Sequence, residues 1–209
     1  MTHAVVNWTG CATHGGGVSK SKRIPLDQLQ VIDVAARLAD SDGLENLTLT
    51  KIAAELGVQQ PALYRHVESW NDLLRLLSLR GREMLADELA AAAIGLSGDE
   101  AVAAVGRAWR LQVTTHPGLY EATDRYPCAG DVELEEAVER IVEVIAQALR
   151  GFELDDDHRV HAARALRSAF HGFGHLEAGD GHPHPHDLDD TFDGMIELLC
   201  AGIRAQAIA

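Results

Sequence analysis

The stretch that most limits what this chain can fold into runs from Leu47 to Val67. Leu49, Ile52, Ala53 and Leu56 recur at i, i+3, i+4 and i+7, which lays one apolar face along a helix. Thr48 stands just before them, where a hydroxyl can accept a bond from a free backbone N–H of the first turn. Gly57 follows at the place where a helix ends in a left-handed residue, a conformation glycine adopts without steric cost. Val58 should tuck under the turn. A second short helix then opens at Gln59, with Pro61 early in it, where a missing N–H costs nothing. Leu63 and Val67 face inward, and Gln60, Ala62, Tyr64, Arg65 and His66 are left on other faces.

Two short helices joined by a tight turn with glycine in it form a helix-turn-helix. In that unit the second helix enters the DNA major groove with its N-terminal residues at the base edges. The side chains suit that role. Gln60 can bond an adenine edge, Ala62 can touch a thymine methyl, and Tyr64 and His66 can reach phosphates. The same expectation takes in Thr48, Thr50, Lys51, Gln59, Pro61 and Arg65, together with Lys22 and Arg23 of a short basic arm upstream. The competing reading of the arm is a solvated tail, and that of the pair is an ordinary helical hairpin.

The run Gln60-Pro61-Ala62-Leu63-Tyr64-Arg65-His66-Val67 resembles the recognition helix of the TetR family of bacterial transcriptional repressors, the tetracycline repressor above all. The likeness extends upstream through Ala35, Ala36, Leu38 and Gly43, and downstream from Ser69 to Leu74. It implies an all-α regulator that binds a double-stranded DNA operator as a homodimer and answers to a small-molecule inducer. One departure matters. At Trp70 the family usually has a phosphate-binding lysine, and an indole supplies no such charge.

The net charge of −14 first argues against a nucleic-acid partner. Its distribution answers the objection. Residues 20–82 carry nine Lys/Arg against eight Asp/Glu, whereas residues 83–209 carry nine against twenty-four. Such asymmetry is expected when one half meets DNA and the other does not. No run approaches the roughly eighteen apolar residues of a membrane span, and the N-terminus lacks the pattern of a signal peptide. The three cysteines, Cys11, Cys128 and Cys200, form no metal or disulfide spacing and imply a reduced, cytoplasmic setting.

The chain divides into a disordered tail over 1–19, a DNA-binding domain over 20–75 and a ligand-binding and dimerisation domain over 76–209. The first helix is expected from Leu26 to Ser41, ended by Gly43. Ser69 caps a long fourth helix to about Ala93, which links the domains. Helices then follow over Glu100–His116, a short segment to Tyr126, Asp131–Leu149, Asp155–Ala178 and Leu188–Ala207. That is about nine helices and no strand. Trp109, the His116-Pro117-Gly118 break and Phe170-His171-Gly172-Phe173 resemble the WHG type of C-terminal domain found in some TetR regulators.

Trp109, His116, Tyr120, Phe170, His171, Phe173, Gly174 and Glu177 are the expected lining of an inducer pocket, with a plain hydrophobic core as the competing reading. Ala162, Leu166 and Ala169, facing Phe192, Ile196, Leu199 and Ile203, are the expected dimer interface, a four-helix arrangement of two helices from each protomer. The eleven histidines invite a metal reading, since His171 and His175 stand at i, i+4 and His182, His184 and His186 alternate with prolines. No carboxylate or thiol completes either set at a recognisable spacing, so no metal and no cofactor is called for. No catalytic carboxylate pair, nucleophile elbow or phosphate loop appears, and the chain is not read as an enzyme. The readings carried against the inducible repressor are a metal-responsive regulator and a helical metal-binding protein or metalloenzyme built on the histidines.

Overall fold

The computed structural model describes residues 26–206, and nine α-helices with no strand make up that part of the chain. They are α1 (Gln28–Asp42), α2 (Leu49–Glu55), α3 (Gln60–Leu63), α4 (Trp70–Ala92), α5 (Gly98–Thr115), α6 (Pro117–Arg125), α7 (Val132–Ala148), α8 (Asp156–Ala178) and α9 (Leu188–Arg204). Single 3₁₀ turns at Leu44–Asn46 and Leu149–Gly151 complete the set. The expected tail over 1–19 and the basic arm with Lys20, Lys22 and Arg23 lie outside the described residues.

The helix starts are set by short polar side chains. Asp27 accepts from the backbone N–H of Gln30 at 2.8 Å, while the Gln30 side chain accepts from the N–H of Asp27 at 3.1 Å, a reciprocal cap. This moves the start of α1 two residues past the expected Leu26. Thr48 caps α2 and Ser69 caps α4 as read from the sequence, at 3.2 and 3.0 Å. Asp131 and Asp155 do the same for α7 and α8. Gly57 has φ +66°, the left-handed value its position between α2 and α3 requires.

Two apolar clusters result. The head cluster joins Val31, Ile32 and Ala35 of α1, Ile52 of α2, Leu63 of α3 and Leu73 and Leu77 of α4. It also takes in Leu119 and Ala122, which belong to α6. The larger cluster is built from α4, α5, α7, α8 and α9 around Trp109, Phe170 and Phe192. α6 therefore has a foot in each, since its Tyr120 belongs to the larger cluster. Burying one side chain such as Leu63, which is wholly covered, contributes about 1.5–3 kcal/mol, so α3 is held on the head chiefly by that residue and Val67.

α6 can sit this close because of a glycine. A Cβ at Gly118 would lie 2.1 Å from the carbonyl oxygen of Ala39, so α6 packs backbone to backbone against α1. The contact is fixed by Asp40, whose carboxylate accepts from the N–H of Leu119 and bonds Nδ1 of His116, both at 2.8 Å.

On the last two helices, most residues of the expected dimer interface are covered within the protomer. Ala162, Leu166, Phe192, Ile196 and Ile203 are all buried in the protomer's own core. Apolar periodicity marked them as covered, but by α5 and each other. Ala169 and Leu199 are half-buried and remain accessible at the edge.

Candidate DNA interface and core site

α2 and α3 present the expected residues at the surface. Thr48, Thr50, Lys51, Gln59, Pro61, Tyr64 and Arg65 are exposed, and Gln60, Ala62 and His66 are half-buried. Tyr64 is 52% exposed, a large amount for an aromatic ring. The regular part of α3 is one turn, Gln60–Leu63. Two bonds hold it in place. The Thr50 hydroxyl donates to Oε1 of Gln60 at 3.1 Å, and Nε2 of Gln28 donates to the carbonyl of His66 at 2.8 Å. Among the described residues the first leaves the amide nitrogen of Gln60 and the second lone pair of its oxygen without a partner, the two groups a bidentate adenine contact needs.

Two members of the expected set are already engaged. Lys51 pairs with Asp42 at 3.1 Å, and Thr48 is occupied as the α2 cap. Trp70, in place of the usual lysine, is the first residue of α4 and 40% exposed.

The expected inducer pocket is brought together only in part. Trp109 donates its indole N–H to the Tyr120 hydroxyl at 2.8 Å, and that hydroxyl lies 2.9 Å from Nδ1 of His171. These three, from α5, α6 and α8, line a cavity of about 60 Å³ together with Arg82, Ile141 and Arg167. Burial pushes the Tyr120 phenol up to about 12 against a smaller lowering from the Trp109 bond, so it stays a neutral hydroxyl. His171 is held below the usual imidazole value, mainly by burial, and neutral is its resting form.

The other five expected lining residues are elsewhere. Phe170 is wholly buried between Trp109 and Phe192, with ring centres at 6.5 and 6.0 Å. His116 serves the α1 contact. Phe173 and Glu177 belong to another side of the molecule, where Glu177 forms a two-point pair with Arg110 at 2.6 and 2.7 Å and Phe173 lies under the same guanidinium. A Cβ at Gly174 would lie 3.0 Å from Cβ of Val113, so this glycine serves close packing of α8 on α5.

Two residues that carried no local signal complete the site. Arg82, only 8% exposed, sends its guanidinium to the carbonyls of Thr123 and Tyr126 at 2.7 and 3.1 Å and to Ser78, tying α4 to the end of α6. Burial lowers its pKa from the ordinary arginine value. Asp124, also on α6, lies 2.7 Å from Nε2 of His175. Neither could be placed from spacing, because the partners on the other helix, Thr123 and Tyr126 for Arg82 and His175 for Asp124, are more than 40 residues away.

An exposed helix-turn-helix on an all-helical frame defines a DNA-binding regulator, and comparison with known proteins gives the lineage. Residues 31–77 match the family described as "Bacterial regulatory proteins, tetR family", and residues 102–199 match "Tetracyclin repressor-like, C-terminal domain". Over 187 residues the chain is 31% identical to the uncharacterized HTH-type transcriptional regulator Rv0681 of Mycobacterium tuberculosis, covering 89% of this chain and 85% of that one. The class E tetracycline repressor of Escherichia coli is 46% identical over 56 residues, 27% of this chain and 26% of its own. Among solved structures, the TetR regulator SCO7222 of Streptomyces coelicolor superposes with a TM-score of 0.66 at 20% identity, covering 88% and 100% of the two chains. BioQ of Mycobacterium smegmatis gives 0.67 at 23%, with the same coverage. The chain belongs to the TetR family of transcriptional regulators.

No helix among the described residues is long and apolar enough to cross a membrane. The resemblance to regulators runs through both halves, which leaves the metalloenzyme reading of the histidines without support.

Proposed function

We propose that the protein is a cytoplasmic, ligand-responsive repressor that binds a palindromic operator as a homodimer, with residues 20–75 as its DNA-binding domain and 76–209 as its ligand-binding and dimerisation domain. The observation that carries the reading is the arrangement of α2 and α3. Their apolar residues are spent on the head core, and Thr50, Gln59, Gln60, Tyr64 and Arg65 are left to meet bases and phosphates. Lys22 and Arg23 would add phosphate contacts from the arm.

The inducer enters between α4, α6, α7 and α8. A cavity of about 60 Å³ is well below the roughly 300–1,000 Å³ of a site for an organic ligand. Any such ligand must move a wall, and α6 is the wall that also grips α1. The lever is therefore α6 acting with α4. Displacing α6 pulls on Asp40 and tilts the head. A coupling of about 1–3 kcal/mol between ligand and operator suffices for useful induction.

The dimer forms on the outer rows of the last two helices. On α8 these are Ala165, Ala169, Gly172 and Leu176, and on α9 Met195, Leu198, Leu199 and Gly202, all exposed or half-buried in the protomer. Leu198 is 77% exposed, a large apolar side chain that a partner would cover.

The test is selection of bound sequences from random duplex DNA by the full chain, followed by titration of the selected duplex with candidate ligands. An inverted repeat released by a small organic molecule supports the reading. Failure to enrich any sequence overturns it.

A further inference from the structure

We propose that Asp124, His171 and His175 form a binding site for one divalent transition-metal ion of the zinc class, joining α6 to α8 beside the cavity. The three residues each offer one ligand atom, and these atoms all lie within 4.8 Å of one another. His171 and His175 stand on one face of α8, four residues apart, with ring centres 4.6 Å from each other. Asp124 completes the set from α6, with its Oδ2 2.7 Å from Nε2 of His175. An ion there takes the place of the hydrogen bond between this pair.

A second, independent feature points the same way. Imidazoles that bind metals nearly always donate their other ring N–H to a fixed acceptor, which sets the ring's orientation. His171 has such a partner in place. Its Nδ1 lies 2.9 Å from the Tyr120 hydroxyl, which is itself held by the Trp109 indole N–H. With Nδ1 donating to that oxygen, Nε2 is left as the ligand atom. The site is also reachable, since the Asp124 and His175 side chains are 44% and 39% exposed.

Two imidazoles and one carboxylate suit zinc, nickel or cobalt better than magnesium or calcium, which prefer oxygen throughout. Three protein ligands leave one position open for water or for a donor atom of a small molecule. Because His171, Asp124 and Tyr120 also line the cavity, that donor could belong to a bound ligand. The other histidine set, in the loop between α8 and α9, is a separate matter. There the ring of His182 packs tilted against Phe173, with centres 4.9 Å apart, and the rings of His184 and His186 are 6.5 Å apart.

The site stands apart from the DNA reading, because chain stripped of metal by a chelator should still select an operator. The test uses the full, untagged, stripped chain titrated with Co²⁺ and then Zn²⁺ in competition. One Co²⁺ per protomer, with a visible spectrum of low coordination number, is expected. Asp124→Ala and His175→Ala, at an exposed and a half-buried position outside the buried core, should each weaken binding by at least the roughly 10–100-fold that losing an outer partner costs. Tyr120→Phe should fall within that range. The triple variant His182→Ala, His184→Ala, His186→Ala should bind as wild type does. Binding that survives Asp124→Ala and His175→Ala, or that is lost in the loop variant, overturns the proposal. So does a stripped chain that takes up no cobalt at micromolar concentration.

Discussion

Replacing Gly118 by Ala probes the joint between the head and the rest of the molecule. The added methyl would lie 2.1 Å from the carbonyl oxygen of Ala39, 2.2 Å from its carbon and 2.8 Å from the nitrogen of Asp40. Ordinary carbon contacts are about 3.5–4.0 Å, so the gap must open by more than an ångström. All three atoms are backbone of α1, which cannot step aside as a side chain would. α6 must therefore back away from α1. Overpacking of this kind costs about 1–3 kcal/mol. At roughly 2–4 °C per kcal/mol for a chain of this size, the melting midpoint should drop by about 2–12 °C. Backing away also separates Asp40 from His116 and from the Leu119 N–H. Asp40→Ala alone should cost about 1–3 kcal/mol by leaving those donors without their acceptor. In the Gly118→Ala background it should cost much less, because the bonds are already broken. Circular dichroism melts of the four members of this cycle measure both quantities. A Gly118→Ala chain melting within 1 °C of wild type, or strictly additive losses, would refute the close joint described here.

Other expected outcomes follow from single side chains. Tyr64→Ala and His66→Ala should each weaken operator binding by about 1–3 kcal/mol while leaving helicity unchanged; equal affinity for both variants and wild type in a fluorescence anisotropy titration would rule out the proposed docking. Leu198→Glu should give a folded monomer by light scattering, because the side chain is exposed, whereas Ile196→Glu should unfold the protomer it helps to build. Recovering a dimer from Leu198→Glu would move the interface elsewhere. Tyr120→Phe removes the acceptor of the buried Trp109 N–H and should destabilise by about 1–3 kcal/mol, read as a shift in urea midpoint at constant slope.

What could be read before folding was what is local. Thr48, Gly57, Pro61 and Ser69 act on backbone within four residues, so the helix-turn-helix and the start of α4 are written in consecutive positions. The core site is not of that kind. Trp109, Tyr120 and His171 meet only when three helices pack, and Asp124 reaches His175 across 51 positions. Aromatic scarcity picked out Trp109 and Phe170 alike, but nothing local says that one borders a cavity and the other fills the core. The last two helices show the same limit. Period 3.6 marks Leu166, Ile196 and Ile203 as buried without saying against what, and the protomer itself covers them. Leu198, 77% exposed, lies off that stripe.

The central claim is that α3 reads base edges twice, once from each protomer of a symmetric dimer. Binding-site selection run in parallel on wild type and Gln60→Ala tests it most directly. Wild type should enrich an inverted repeat whose half-site centres lie about 10 base pairs apart, or a multiple of that. The variant should enrich the same repeat with preference relaxed at one position in each half, symmetrically placed, because only the contact of Gln60 is lost. A wild-type motif without two-fold symmetry, or a variant that loses affinity evenly at every position, would contradict the account.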